Sequence, residues 1–262
     1  MLQLGNATEN AGSLWQRLWP RYVLAALEHD RIVLQRWMPS QQTPGPCWIL
    51  RLPEGVIVEG QPLQVAALGE LLGDFLAEQR LTGAHVLAVL PPAATRLPRG
   101  ACHLFANDVL RGIDSSLVQA WIDVFARADL VLDRLVPAGL CWMLFAQPSL
   151  QGAASRDLSV FLHGESSGCE LWAWSGWELW AHFRDHCSVS LLWRDVEPVL
   201  RGLMAAQGCR RMLVWFEAEE DVNPPVEIAA PGVLMHAESS GFGNVALAGL
   251  VRAELTAPQE HR

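Results

Sequence analysis

The chain has 262 residues, of which 51% are hydrophobic and 18% are charged, and its formal net charge is −9 at pH 7. This composition excludes an intrinsically disordered chain, because the apolar surface is large enough to offset the conformational entropy lost on folding. The negative charge argues against nucleic-acid binding, which needs a basic stripe to displace counterions from phosphates. All 19 basic residues are arginine, which excludes a Schiff-base lysine and a P-loop lysine.

Six cysteines are spread along the chain, and none of them forms a C-x-x-C pair. The N-terminal segment lacks the basic and apolar regions of a secretory signal peptide. We therefore expect reduced thiols in a cytoplasmic protein rather than a disulfide framework. No apolar run approaches the roughly 18 residues that a membrane span requires.

The first half of the chain is predicted to alternate strands and helices after a loose tail at residues 1–13. Apolar, β-branched runs predict strands at residues 22–28, 31–38 and 47–52. An apolar helical face predicts a helix at 65–79, and the run that ends at Pro91-Pro92 predicts a strand at 84–90. Residues 91–114 are irregular. The next predicted element is a helix at 116–128, with Asp114 or Ser115 as its cap. It is followed by a strand at 130–136 and by a helix from 137 to about 146.

A second series of elements is predicted after the linker-like segment 147–155. Its strands are expected at residues 158–163, 169–174 and 177–184, and the last two form a hairpin around Ser175-Gly176. In that hairpin Trp174 is expected opposite Trp177, and Trp172 opposite Leu179. Both sheet faces are then apolar, which favours core packing of the tryptophans over a docking surface. The series ends with a helix at 195–207, a strand at 211–216 and a helix at 242–255.

The two halves repeat one order of elements, in which three strands linked by hairpins precede alternating helices and strands. This pattern predicts an α/β fold of two ribonuclease-H-like lobes, the architecture of actin-like ATPases. We expect the first lobe at residues 14–150 and the second at 155–262, with a hinge at 147–155. Residues 91–114 are expected to form a loop or a short helix within the first lobe.

Residues 52–91 resemble the type IV pilus assembly protein PilM family. The sequence L-P-E-G-V-I-V-E-G at residues 52–60 matches the L-P-x-G-x-I-x-D/E-G stretch of that family. In this sequence and in the family, the stretch is followed by an amphipathic helix and by an apolar strand that ends in proline. As an order of elements the resemblance covers most of residues 22–255. It implies an actin-like, duplicated ribonuclease-H-like fold.

Nucleotide binding in actin-like proteins needs turns that offer backbone N–H groups to phosphates, and acidic side chains that hold Mg²⁺. The first turn of the family reads like D-I-G-x-x-S/T-x-K, whereas residues 27–31 here read L-E-H-D-R without glycine. The second turn keeps Gly164, Ser166, Ser167 and Gly168 as a remnant, but Leu162 replaces the aspartate on the metal side. The third segment is acidic at residues 216–219, which repels phosphates. We therefore expect no catalytic residue, no cofactor, no metal and no ATPase activity.

The resemblance also implies a partner. The family carries an α+β insertion that here is reduced to residues 91–114, so the inserted subdomain is largely missing. In the family the tail of the membrane protein PilN docks beside that subdomain. We therefore expect an apolar, exposed docking patch in this segment, with Leu97, Leu104 and Phe105 as its candidate residues.

The resulting hypothesis is a non-catalytic adaptor of a type IV pilus, or of a related competence or secretion platform in the inner membrane. It is expected to lie in the cytoplasm, peripheral to the membrane, and to bind the cytoplasmic tail of a PilN-like bitopic protein. Self-association is left open. The alternatives are a divergent actin-like ATPase and a component similar to GspL, the cytoplasmic part of type II secretion platforms.

Two further patterns have simpler interpretations. The spacing of His182, His186 and Cys187 resembles that of zinc ligands, but the predicted strand through His182 does not place the two histidines on one face. Residues 164–168 read G-E-S-S-G, the form of a hydrolase nucleophile elbow. Because a strand rather than a helix is predicted to follow, a β-turn is favoured.

Overall fold

The computed structural model describes residues 21–38, 45–97, 103–150, 157–165, 168–218, 233–236 and 245–256. The predicted tail at 1–13 lies outside these ranges, as do Ser166 and Ser167. No helix among the described residues has the length and apolar character needed to cross a membrane.

Strands and helices occupy nearly all of the predicted positions. The strands are β1 Tyr22–Leu27, β2 Arg31–Trp37, β3 Cys47–Arg51, β4 Ile57–Val58, β5 Gln61–Pro62, β6 His85–Leu90, β7 Leu104–Phe105, β8 Val131–Pro137, β9 Asp157–Glu165, β10 Gly168–Ser175, β11 Glu178–Asp185, β12 Arg211–Ala218 and β13 Val233–His236. The α-helices are α1 Val65–Glu78, α2 Ala106–Arg111, α3 Ser115–Arg127, α4 Ala138–Leu150, α5 Val189–Gln207 and α6 Val245–Thr256. A 3₁₀ turn covers Pro92–Ala94.

The chain divides into two compact units. Unit 1 holds the described residues up to Ala94 together with Asp114–Val136. Unit 2 holds Thr95–Ile113 and the described residues from Pro137 onward. Each unit has its own sheet.

The two sheets share one topology. In unit 1 the strand order is β3-β2-β1-β6-β8, with antiparallel pairing of β1, β2 and β3 and parallel pairing of β1 with β6. In unit 2 the order β11-β10-β9-β12-β13 repeats this pattern, with β9 to β11 antiparallel and β12 parallel to both β9 and β13. The additional strand β7 pairs with the outer side of β11. The repeated element order predicted from the sequence therefore corresponds to a repeated sheet.

Helices α1 and α3 pack closely in unit 1. A Cβ atom at Gly69 would lie 2.6 Å from the Arg127 Cβ, so this glycine permits the close approach of the two helices. The indole Nε1 of buried Trp121, on α3, donates to the carbonyl oxygen of Gly60 at 2.8 Å. Asp114 caps α3 by accepting from the backbone N–H of Ser116 at 2.8 Å, as one of the two predicted caps.

The sheet of unit 2 is buried on both faces. On one face α5 contributes Trp193 and Val196 to an apolar cluster with strand residues that include Leu162 and Leu171. On the other face α4 covers the sheet, and the Trp142 ring stacks on Phe161 with centroids 5.8 Å apart. Trp172, Trp174 and Trp215 are also buried. The expectation that the hairpin tryptophans serve core packing is confirmed for Trp172 and Trp174, whereas Trp177 is 55% exposed.

Two glycines allow α4 to pack tightly in unit 2. A Cβ at Gly139, on α4, would lie 2.6 Å from the Trp172 ring. A Cβ at Gly249, on α6, would lie within 2.6 Å of the Cys141 carbonyl carbon on α4 and still closer to its oxygen. Since real Cβ atoms do not approach backbone this closely, α6 depends on glycine at this position.

The boundary between the units differs from the predicted hinge at 147–155. It lies between Val136 and Pro137, because α4 packs on the unit 2 sheet through Trp142 and Phe145. The second lobe therefore begins before residue 155, and the first does not extend to residue 150.

The predicted insertion at residues 91–114 differs as well. It forms a 3₁₀ turn, the short strand β7 and the short helix α2, as expected of a segment too short for a subdomain. However, Thr95–Ile113 belongs to unit 2 rather than to the first lobe. The reason is the pairing of β7 with β11, which sequence periodicity does not encode.

The predicted register of the tryptophan hairpin is wrong. The turn is formed by Gly176 and Trp177, so Ser175 lies opposite Glu178 and Trp174 opposite Leu179. Gly176 has a φ of +58°, which glycine adopts without strain and which favours this turn position. A β-bulge between Ala173 and Trp174 then shifts the register again, placing Trp172 opposite His182.

The packing of α6 on α4 predicts the effect of one methyl group. We expect Gly249→Ala to lower the free energy of unfolding by about 1–3 kcal/mol, because the methyl group has no room beside Cys141. Gly202→Ala on α5 is the matched control, since a Cβ there meets nothing within 4 Å. It should raise the stability by about 0.5–1 kcal/mol, the difference in helix propensity. Urea denaturation measures both variants, and equal effects would contradict the close packing of α4 and α6.

Candidate functional site

The turn between β1 and β2 is closed by its own side chains. The Arg31 Nε donates to the Glu28 carboxylate at 2.5 Å across the turn. The Glu28 N–H donates to the Arg31 carbonyl at 2.9 Å, and the Leu52 N–H donates to the Asp30 carbonyl at 2.7 Å. The turn thus carries two carboxylates and one guanidinium. In the family that the sequence resembles, the corresponding turn is a phosphate-binding loop that contains glycine. The turn between β1 and β2 has the geometry of an ordinary hairpin turn.

A structural reason accounts for Gly168, which follows the turn between β9 and β10. Gly168 has a φ of +152°, and a Cβ there would lie 2.5 Å from the Asp185 carbonyl oxygen on β11. Gly164 is in β9 and pairs with Cys169. Leu162, which replaces the metal-side aspartate, is buried in the apolar cluster under α5. The described part of this remnant therefore serves strand packing, and β10 follows directly, as expected of a β-turn rather than a nucleophile elbow.

The third segment lies beside the second in the sheet. Glu217 and Ala218, at the end of β12, are paired with His163 and Gly164 of β9. Phe216 packs against the apolar cluster under α5. The backbone of β12 thus ends beside the strand end that carries the second turn.

A charged cluster lies on β10 and β11 and is formed by buried Glu170 and Trp172, half-buried His182 and exposed Arg184. The Trp172 Nε1 donates to the Glu170 carboxylate at 3.0 Å. The Arg184 Nε lies 3.2 Å from the same carboxylate, and the His182 Nε2 lies 3.5 Å from it. The His182 ring also lies against Trp172, with centroids 4.5 Å apart. Because Glu170 is only 5% exposed, its charge depends on these partners for stability.

The predicted hairpin register does not bring the residues of this cluster together. The predicted register places Ala181 opposite Glu170, whereas the structure pairs Glu170 with Arg184. The available signal was a glutamate within an apolar strand, together with basic residues two apart on the next strand. A buried carboxylate requires such partners, so its presence could have been used to choose the register.

The candidate docking residues lie in unit 2 and differ in exposure. Leu97 is half-buried. Leu104 is half-buried and paired with the buried Leu179, so it holds β7 against β11. Phe105 is 59% exposed. Of the three, Phe105 is the one whose side chain is available at the surface.

Polar contacts fix β7 at this position. The His103 Nδ1 lies 2.6 Å from the Glu178 carboxylate, which links the start of β7 to the start of β11. The Phe105 N–H donates to the Asp108 carboxylate at 3.1 Å, which closes the first turn of α2. The exposed ring of Phe105 therefore projects from a backbone that is held at both ends.

Of the three residues with zinc-like spacing, His182 lies within β11, whereas His186 and Cys187 follow its end. Among the residues that the structure describes, no group of three or more potential ligands could hold a metal ion. His182 faces Glu170, and the Cys187 sulfur lies 3.9 Å from that of Cys169.

Comparisons with known proteins identify the fold. No protein-family profile and no curated protein matches the sequence. Among solved structures, the PilM-PilN type IV pilus biogenesis complex matches 92% of this chain and 100% of its own, with 13% identity and a TM-score of 0.57. A Bacteroides thetaiotaomicron protein with an actin-like ATPase fold and unknown function is also similar. The match covers 90% of this chain and 97% of that protein, with 6% identity and a TM-score of 0.51. The predicted actin-like fold is confirmed.

The three altered segments predict the outcome of nucleotide titration. We expect Mg-ATP to bind in the millimolar range or more weakly, because the first turn has no glycine and the metal-side aspartate is replaced by buried Leu162. Isothermal titration calorimetry with the full chain is the measurement. A micromolar dissociation constant would instead support the alternative of a divergent ATPase.

The charged cluster predicts a stability change. We expect Glu170→Gln to lower the free energy of unfolding by about 1–3 kcal/mol, because His182 and Arg184 lose their carboxylate while the shape is kept. Glu197→Gln is the control: its pairing with Arg201 is a surface pair along α5. Glu197→Gln should lower the free energy of unfolding by less than about 0.5 kcal/mol. Thermal denaturation compares the two, and an effect no larger than that of Glu197→Gln would show that Glu170 is not tied to its partners.

Proposed function

We propose that the protein is a non-catalytic adaptor of a type IV pilus assembly platform, or of a related competence or secretion platform. It binds the cytoplasmic tail of a PilN-like bitopic membrane protein. The observation that carries the proposal is the structural similarity to the PilM-PilN complex, which extends over 92% of this chain and all of the matched chain. The L-P-E-G-V-I-V-E-G block at residues 52–60 adds a local sequence match.

We propose a non-catalytic protein because of the residues at the three segments that correspond to the nucleotide-binding turns of the family. An ATPase needs donors directed at phosphates and a carboxylate for Mg²⁺. At residues 27–31 the turn is filled by an ion pair between its own side chains. At Leu162 an aliphatic side chain lies in the core. Both observations support a protein that has the actin-like fold but does not bind and hydrolyse ATP.

The location follows from the proposed partner. A tail that leaves the membrane brings its adaptor to the cytoplasmic side of the inner membrane. We therefore propose a cytoplasmic protein that is peripheral to the membrane through its partner.

The edge of the unit 2 sheet offers a place for an extended tail. Strand β7 pairs with β11 only at Glu178 and Leu179. Among the described strands, none pairs with the same side of β11 over its remaining residues, 180–185. An extended tail that continued the line of β7 would gain backbone hydrogen bonds from this edge. Phe105 would lie beside it as an apolar contact.

The test uses the full chain and synthetic peptides. The peptides copy the cytoplasmic tails of bitopic membrane proteins encoded beside pilus platform genes in the source genome. We expect one tail to bind with a micromolar dissociation constant. Phe105→Asp should weaken that binding at least about tenfold, because the exposed aromatic contact beside the tail is replaced by a charge. Biolayer interferometry measures the affinity, and the melting temperature should be nearly unchanged because Phe105 is exposed.

The control is Ile49→Asp, which makes the same kind of change at a 50% exposed position on β3 in unit 1. It should leave the affinity unchanged. If Ile49→Asp weakens binding and Phe105→Asp does not, the docking patch is wrong while the adaptor function stands. If no tail binds, the adaptor function is contradicted.

A further inference from the structure

Two cysteines meet at the end of the β10–β11 hairpin that lies next to the β9–β10 turn. The Cys169 Sγ lies 3.9 Å from the Cys187 Sγ and 3.2 Å from the Cys187 carbonyl oxygen, which accepts its hydrogen bond. Cys169 is opposite Asp185 in the register, so Cys187 follows two residues beyond the end of β11. The two sulfurs are thus in contact without being bonded, and both thiols are free.

The hairpin holds the two thiols together. Gly168 packs so closely on the Asp185 carbonyl that a side chain there would collide with it. On the far side, Ser188 caps α5 by accepting from the Leu191 N–H at 3.4 Å, which fixes the residue after Cys187. A disulfide bond therefore needs only side-chain rotation and a small approach of the sulfurs, with little rearrangement of the backbone.

The two thiols differ in access. Cys169 is buried, at 3% exposed, whereas Cys187 is half-buried. Burial, as the largest cause, together with neighbouring Cys187, Asp185 and Glu170, raises the pKa of Cys169 to about 12. Cys169 is therefore a poor first nucleophile, and Cys187 is the thiol that an external reagent reaches.

We propose that Cys169 and Cys187 form a thiol–disulfide exchange site that reacts with small-molecule disulfides of the oxidised-glutathione class. The Cys187 thiolate attacks one sulfur of the glutathione disulfide, breaks its S–S bond and releases one glutathione thiolate. The Cys169 sulfur then attacks the Cys187 sulfur of the mixed disulfide and releases the second glutathione, and its proton goes to solvent. The two protein thiols are oxidised, and one glutathione disulfide is reduced to two glutathione thiols.

The bond would join the beginning of β10 to the segment that leads into α5. It closes a loop that contains the whole β10–β11 hairpin, including the Glu170 cluster and the β11 edge. Such a bond limits the freedom of the unfolded chain, so oxidation should raise the melting temperature by roughly 5–10 °C.

Arginine positions make the product easy to detect. Trypsin cleaves after Arg156, Arg184 and Arg194, so Cys169 falls in peptide 157–184 and Cys187 in peptide 185–194. The folded full chain is incubated with oxidised glutathione, its remaining thiols are blocked, and it is digested without reduction. We expect mass spectrometry to find these two peptides linked, and reduction to separate them.

Two variants identify the order of the steps. In Cys169→Ala the second step is blocked, so a glutathione adduct should accumulate on Cys187. In Cys187→Ala the remaining Cys169 should stay unmodified while the protein is folded, as judged by its melting curve. The exposed Cys47 on β3 is an internal control that should form only mixed disulfides. The absence of the linked peptide from folded wild-type protein, or its appearance only after unfolding, would overturn the proposal.

Discussion

The unit 2 sheet is buried on both faces, and this constraint governs the rest of that unit. With α5 on one face and α4 on the other, the buried strand residues pack against a covering helix. Buried polar groups must therefore find partners within the sheet. The Glu170 cluster is one consequence, because a carboxylate in such a sheet requires its cations on the adjacent strand. The glycine contacts of α4 are another, since tight covering leaves no room for a Cβ at Gly139.

The same constraint decides what the nucleotide-loop remnant can do. Strand β9 carries Leu162 into the core under α5, so this position contributes to packing rather than to metal binding. Gly168 permits close approach of β10 to β11. In unit 1, the turn before β2 is occupied by the ion pair of Glu28 and Arg31. The actin-like fold is thus present, while the described residues of these turns contribute to packing and to an ion pair.

Function in unit 2 is confined to strand ends and edges, because the faces are covered. The β10–β11 hairpin has a distinct chemical feature at each end. At the Gly176 turn, β7 and exposed Phe105 lie beside the sheet edge. At the opposite end, Cys169 and Cys187 lie in contact. One hairpin therefore connects the proposed docking edge to the proposed exchange site.

The sequence by itself determined the elements, their order and the duplicated fold, because apolar periodicity and turn residues act locally. It also showed that residues 27–31 contain no glycine and that residue 162 is leucine, where the resemblance implies nucleotide-binding residues. Only the tertiary structure decided the hairpin register, the unit boundary at Pro137 and the placement of β7 in unit 2. The first depends on where a two-residue turn and a bulge fall, and the other two depend on contacts between residues far apart in the chain. Glu170 and Arg184, like the paired cysteines, became neighbours through that register, which residue patterns along a single strand do not specify.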